Sequence, residues 1–191
     1  MDPIVWQGLS EPSLEYPDLE TDPQPRARGS IVAVWDGRPI RLEYEIDCDP
    51  DWVVRRVEAR LEAGSGLRHL ALRASREGAW TDGDDQSIPE LTGCSYVDIQ
   101  ATPFTNSLPI RRLQLEPGVK RDLRVAYVGI PSLQVSAADQ RYTRLDDASS
   151  PRYRYRSGDF EAVLVVDDAG IVIDYEGLWR RVAPEHDFAG Q

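Results

Sequence analysis

The chain has 191 residues and a formal net charge of −11. It is long enough for one domain with its own core, and its charge argues against nucleic acid, which needs a basic face, and disfavours adsorption to anionic membranes. Two cysteines, no basic start followed by an apolar run, and no stretch near the roughly 18 apolar residues of a membrane span point to a cytoplasmic chain without a disulfide framework.

Residues 1–29 form an acidic, proline-rich leader in which Pro3, Pro12, Pro17, Pro23 and Pro25 space out Glu11, Glu15, Asp18, Glu20 and Asp22. Trp6 is costly to leave wet, so a short strand ending there and an extended strap packed on the domain are expected. A β domain is expected over 30–182. It opens with the strand Ile31–Trp35, the hairpin turn Asp36-Gly37 and the alternating run Arg38–Asp47, which puts Ile40, Leu42, Tyr44 and Ile46 on one face. Trp52–Glu62 fits both a helical and an alternating pattern, and its β-branched residues favour strand. Gly64-Ser65-Gly66 turns the chain into His69–Arg73, and Ala79-Trp80-Thr81 follows a further turn. Asp82-Gly83-Asp84-Asp85 lacks the glycine and glutamate of a calcium loop and reads as an exposed hairpin tip.

The stretch Gly93–Arg112 is hard to explain as generic strand or loop. Tyr96, Asp98 and Gln100 alternate with Val97 and Ile99, Pro103 breaks the ladder, and Pro109 holds the next segment extended into Arg111 and Arg112. A strand is expected to start at Leu113 and Leu115 and to end at Pro117-Gly118. Leu123, Val125 and Tyr127 alternate in the next, Leu133–Leu145 follows, and Arg152–Arg156 puts arginines on one face and tyrosines on the other. Phe160–Val166 and Ile171–Tyr175 form a hairpin around Asp167-Asp168-Ala169-Gly170. Leu178–Arg181 closes the fold, and residues 183–191 are expected to be a flexible tail. Leu72–Asp82 and Leu164–Asp174 echo each other at a constant offset, which allows an internal duplication.

The sequence carries no Gly-rich phosphate loop, dinucleotide fingerprint or Gly-x-Ser-x-Gly elbow, and neither His69 nor His186 has a partner at metal-ligand spacing. No cofactor, metal ligand or catalytic residue is assigned on these grounds. Asp98 with Asp174 or Glu176 leaves open a hydrolase or isomerase acting on a sugar or glycolipid, and the acidic leader leaves open a protein-interaction module. Tyr96, Asp98, Asn106, Arg111, Arg112, Tyr175 and Trp179 supply aromatic faces, planar hydrogen-bonders and guanidinium forks for a mixed polar and apolar ligand. Alternatively, Tyr175 and Trp179 fill the core and the arginines pair with surface carboxylates. On a strand, Ile110 and Arg112 would share one face, with Arg111, Leu113 and Leu115 on the buried one. Arg111 is then the inward residue, with Asp98 its expected partner at the edge of a ligand cavity.

The run Cys94…Val97-Asp98-Ile99…Thr102-Pro103-Phe104-Thr105-Asn106…Leu108-Pro109-Ile110-Arg111-Arg112 resembles the signature of the bacterial "putative glycolipid-binding" family, once a domain of unknown function. Trp6, Trp52, Gly78-Ala79-Trp80, Tyr153, Tyr155 and Asp174-Tyr175…Gly177-Leu178-Trp179-Arg180 follow in the family's order. The chain departs in its longer acidic leader and in Glu176, where the family pattern has proline. The resemblance implies an all-β fold with little helix: a spiral β-roll of mostly antiparallel strands around an apolar interior. It implies a non-enzymatic partner role toward a glycolipid or other amphipathic small molecule, with acyl chains in an apolar cavity and the polar head near residues 94–112. The family's glycolipid role is itself an inference, and no established catalytic residue comes with it.

Overall fold

In the computed structural model, which describes residues 3–21, 24–64, 66–146 and 150–183, strand makes up 58% and helix 7%, the all-β class expected. The first half of the chain gives β1 (Val5–Gly8), β2 (Ser13–Glu20), β3 (Arg26–Trp35), β4 (Arg38–Cys48), β5 (Val54–Ala63), β6 (Gly66–Ala74) and β7 (Trp80–Asp82). The second half gives β8 (Tyr96–Ile99), the helix α1 (Phe104–Leu113), β9 (Lys120–Val128), β10 (Val135–Arg144), β11 (Arg152–Ser157), β12 (Phe160–Val166), β13 (Val172–Tyr175) and β14 (Trp179–Ala183). All fourteen strands lie in one sheet of order β7-β6-β5-β4-β3-β2-β1-β14-β13-β12-β11-β10-β9-β8. Neighbours are antiparallel except β8 and β9, which are parallel and need α1 as their crossover.

The sheet curls without closing. Near its two ends, the Val54 N–H of β5 donates to the carbonyl of Ser95 beside β8 at 3.4 Å, and the Trp80 indole of β7 donates to the carbonyl of Cys94 at 3.0 Å. This is the spiral roll. Its interior holds one hydrophobic cluster drawn from both halves of the sheet and from α1.

Local chemistry explains the best-defined strands. Asp36 and Gly37 both take positive φ, 48° and 72°, and Trp35 pairs with Arg38, so β3 and β4 are joined by a two-residue turn whose twist matches the strands. Ile40, Leu42, Tyr44 and Ile46 are buried as the alternation predicts. In β11, Tyr153 and Tyr155 are buried, whereas Arg154 and Arg156 are exposed. β5 departs from strict alternation: a register shift between Asp47 and Cys48 brings Val54 to the same buried side as Val57, Ala59 and Leu61.

Three expectations need correction. The leader 1–29 is not a strap outside a domain beginning at residue 30. It supplies β1 and β2 to the middle of the sheet, and β3 already begins at Arg26. Pro17 is tolerated inside β2 because the pairing with the four-residue β1 reaches only Leu14 and Glu15, leaving Pro17 on a local edge. The segment after Pro103 is a helix, not an extended run into a strand at Leu113. The Thr102 hydroxyl, one residue before the Pro103 cap, accepts from the Phe104 N–H at 3.0 Å, and residues Phe104 through Ile110 are all buried. Gln114 ends it in the left-handed conformation, φ 41°, its N–H returning to the carbonyl of Ile110. Finally, the two echoing hairpins differ by one residue: Leu72 pairs with Asp82, but Leu164 pairs with Tyr175 across an irregularity at Val165/Val166. Of the tail expected at 183–191, Ala183 ends β14 and the remainder lies outside the described residues.

Candidate functional site

The last turn of α1 opens into a groove of about 1040 Å³. Three segments far apart in sequence build it. The first is the β4–β5 turn, where Asp49 accepts from the backbone N–H groups of Asp51 and Val53, both at 3.0 Å. Arg55 binds the same carboxylate through two nitrogens, at 3.0 and 2.6 Å. Burial opposes ionisation of Asp49, but these bonds outweigh it and hold the carboxyl below its usual range. The turn thus fixed carries Trp52, at φ 63°, toward α1.

The second segment is the end of α1 itself. Arg111 lays its guanidinium 4.0 Å from the centroid of the Trp52 ring and donates to the carbonyl of Ala169. Arg112 donates to the Tyr96 hydroxyl at 3.2 Å. Two cations in the last turn also suit the negative end of the helix dipole. The third segment is the β12–β13 turn. Asp167 accepts from the Ile171 N–H at 2.9 Å and from the buried Arg181 at 2.7 Å. Gly170, at φ 77°, lies against the stem of Arg111, and a Cβ there would stand 2.9 Å from Arg111 Cγ. Arg144 and Tyr153 complete the wall, the guanidinium donating to the tyrosine hydroxyl at 2.9 Å.

The groove is therefore of mixed character. Arg111 Nε is buried there without a hydrogen-bond partner, and the carboxylates of Asp51, Glu116 and Asp168 that line the groove have no ion pair among the described residues. A separate void of about 10 Å³ is lined by Leu19, Ile46, Cys48, Phe104, Leu108 and Ile171, with Glu20 and Arg26 also on it. Trp52 lines both.

Five of the seven residues singled out from the sequence lie at the two ends of α1. Arg111 and Arg112 line the groove, and Tyr96 supports Arg112. Asp98 and Asn106 lie at the opposite end in a buried polar network. Asp98 accepts from Gln140 at 2.6 Å, Thr105 at 3.1 Å and Tyr155 at 3.3 Å. Asn106 donates to the Tyr142 hydroxyl at 2.9 Å. Burial raises the Asp98 pKa, and the three hydrogen bonds only partly offset it. Tyr175 packs edge-on to Tyr155, ring centroids 6.0 Å apart, and Trp179 is a core residue of β14.

The expected Arg111–Asp98 pair is not formed. Arg111 is the more buried of the two arginines, as expected, but helical rather than strand geometry puts it there, facing Trp52 and Ala169. Nor does Asp98 meet the carboxylates proposed to work with it: Asp174 pairs with Arg180 at 2.9 Å, and Glu176 accepts from the Val163 N–H at 2.8 Å. Sequence reasoning passed over Asp51, Glu116, Arg144, Asp167 and Asp168 as groove residues. Trp52 and Tyr153 entered only as family markers, and nothing in their local pattern marks them as converging.

Among curated proteins, no match is found. A solved structure of a DUF1089 family protein from Pseudomonas aeruginosa is similar over 89% of this chain and 92% of its own, with 39% sequence identity and a TM-score of 0.82. The family described as "Putative glycolipid-binding" matches residues 3–181. With nearly the whole chain matched, and with the fold and the signature residues in place, the chain belongs to this family.

Proposed function

We propose that the chain is a non-enzymatic binder of a glycolipid or related amphipathic lipid, with the sugar head in the groove at the end of α1 and the acyl chain directed into the roll. The observation that carries this reading is the position of Trp52, which lines both the polar groove and the void beside Phe104 and Leu108. A polar head and an apolar chain would thus meet adjoining surfaces separated by one indole. The groove has the size of a small-molecule site, for which roughly 300–1,000 Å³ is usual. Aromatic faces suit the C–H patches of a sugar, and guanidinium donors with unpaired carboxylate acceptors suit its hydroxyls. The void is too small for a chain, so an acyl group would enter only as α1 yields. Each methylene then buried contributes about 0.8 kcal/mol. The head sets specificity and the chain sets affinity. The proposal places the protein in the cytoplasm, where its two free cysteines, both buried, stay reduced. No helix among the described residues is long and apolar enough to cross a membrane.

Native mass spectrometry of the protein purified from its own host, and titration with a monoglycosyl diacylglycerol in detergent, test the reading. Trp52→Ala should weaken binding at least tenfold. A ligand-free chain, together with no shift in melting temperature across a panel of glycolipids, would refute it.

A further inference from the structure

Glu15 has no solvent-exposed surface at all. It points into the roll from β2, opposite Trp6 on β1 and Ile31 on β3. Its Oε1 accepts from the Tyr44 hydroxyl at 2.6 Å and from the Thr102 hydroxyl at 2.7 Å. Its Oε2 is equally buried and meets no donor among the described residues. No cation pairs with it there. Of the other inward charges on nearby elements, Arg181, across Trp6 on β14, holds Asp167 through Nη1 while its buried Nε has no partner among the described residues, and Asp98 on β8 is held by Gln140, Thr105 and Tyr155. Tyr44, the titratable group in contact, stays neutral because burial pushes its pKa well above the usual value.

A carboxylate so placed would lack any counter-charge and would leave one oxygen bare, so the neutral acid is the form this site accepts. Burial accordingly pushes Glu15 up to about 8, against the smaller opposing effect of its two hydrogen bonds. The Thr102 hydroxyl that Glu15 holds is also the group that accepts from the Phe104 N–H at the start of α1. Glu15 and the helix are therefore joined through a single hydroxyl.

We propose that undocking of α1 from the roll releases one proton from Glu15, so that the helix is held in place while this acid is neutral and is progressively freed as pH rises. The link bears on the reading above because α1 fills the interior an acyl chain would need. It stands, however, whether or not a lipid is the ligand.

Hydrogen exchange on the full chain between about pH 5 and 8 tests it, with the protection of the Leu108 and Ile110 amides taken relative to their intrinsic exchange rates at each pH. Protection factors remove the base-catalysed intrinsic rate. Release of one proton per opening predicts that the relative protection of α1 falls about tenfold per pH unit over this range. Glu15→Gln, neutral at every pH, should flatten that slope. Protection of α1 that does not change with pH, or that equals the protection of Glu58 and Arg60 on β5 at every pH, which would mean that only global unfolding exposes Glu15, overturns the proposal. So does an unchanged slope in the variant. Should the variant fail to fold, carboxyl carbon-13 NMR of the wild type serves instead: a Glu15 midpoint near 8 is expected, and one below about 5.5, within the ordinary carboxyl range, overturns the proposal.

Discussion

Gly170→Ala isolates the contact on which the groove floor rests. A methyl at this position would stand 2.9 Å from Arg111 Cγ and 3.6 Å from both Arg111 Cα and Ile110 Cγ2. The guanidinium tip could swing away, but the close atom is the stem, pinned to the helix backbone. The substitution therefore costs twice. Left-handed backbone, at φ 77°, costs a residue with a Cβ about 1–2 kcal/mol. Displacing Arg111 then forfeits its stacking on Trp52 and its hydrogen bond to Ala169, each about 1 kcal/mol. Gly177 supplies the control: its φ is 72°, and a Cβ there would meet nothing within 4 Å. Urea denaturation should show Gly170→Ala costing about 3 kcal/mol and Gly177→Ala about 1 kcal/mol, the latter from the backbone alone. In an Arg111→Ala background the excess at Gly170 should disappear, since only the ordinary contacts at 3.6 Å remain. Equal costs for the two glycines, or an excess that survives the loss of Arg111, would show that the Arg111 contact does not govern this site.

Glu15 gives the global stability a definite pH dependence. Its carboxyl is raised from an ordinary 4.5 to about 8, so the folded state binds the proton over that interval and the unfolded chain does not. Stability is therefore greatest below the unfolded value and falls as pH rises, by about 5 kcal/mol in all at 1.36 kcal/mol per unit. The difference between wild type and Glu15→Gln in urea unfolding at pH 5, 6.5 and 8 should carry this slope, and a pH-independent difference would contradict it. Gly29→Ala should be among the most damaging single-methyl additions. Its Cβ would lie 2.1 Å from the Tyr44 ring, which cannot retreat while its hydroxyl holds Glu15. The expected loss is about 3 kcal/mol, measured by thermal melting, and a loss below about 0.5 kcal/mol, the range of an ordinary surface change, would show that the ring moves freely.

The fold was legible wherever the strand alternation agreed with the side that is buried. β3, β4, β11 and β12 obey it, and the Asp36-Gly37 turn announces itself. β2 inverts it: Leu14 and Tyr16 are 54% and 55% exposed, whereas Glu15, between them, is fully buried. A pattern with apolar residues outside and an acid inside reads as a leader, not as a central strand. α1 was hidden for a different reason. Pro103, Thr105, Asn106, Ser107 and Pro109 are poor helix formers, and only burial against both halves of the sheet makes the segment helical. The arginines of the site could be named from sequence because they adjoin one another. The groove could not, because its walls come from turns near residues 50, 113 and 168, which meet only in the folded roll.

The magnitudes explain why α1 is the element through which protonation can act. Phe104, Leu108 and Ile110 are buried and contribute about 1.5–3 kcal/mol each to its docking. Pro109 inside the helix opposes this by about 3 kcal/mol. Thr105, Asn106 and Ser107 add smaller propensity losses and must all be hydrogen-bonded to be buried at all. Thr105 meets this demand through Asp98, Asn106 through Tyr142, and Ser107 by accepting from the Val172 N–H at 3.2 Å. What remains is a docking energy of a few kcal/mol, comparable with the protonation free energy of Glu15. A helix held by a purely apolar face would be indifferent to that proton, and a strand in the ladder would be too strongly paired to respond. A short polar helix, tied at its first turn to a neutral acid and at its last to Trp52 and Ala169, is an element whose position a single proton can shift.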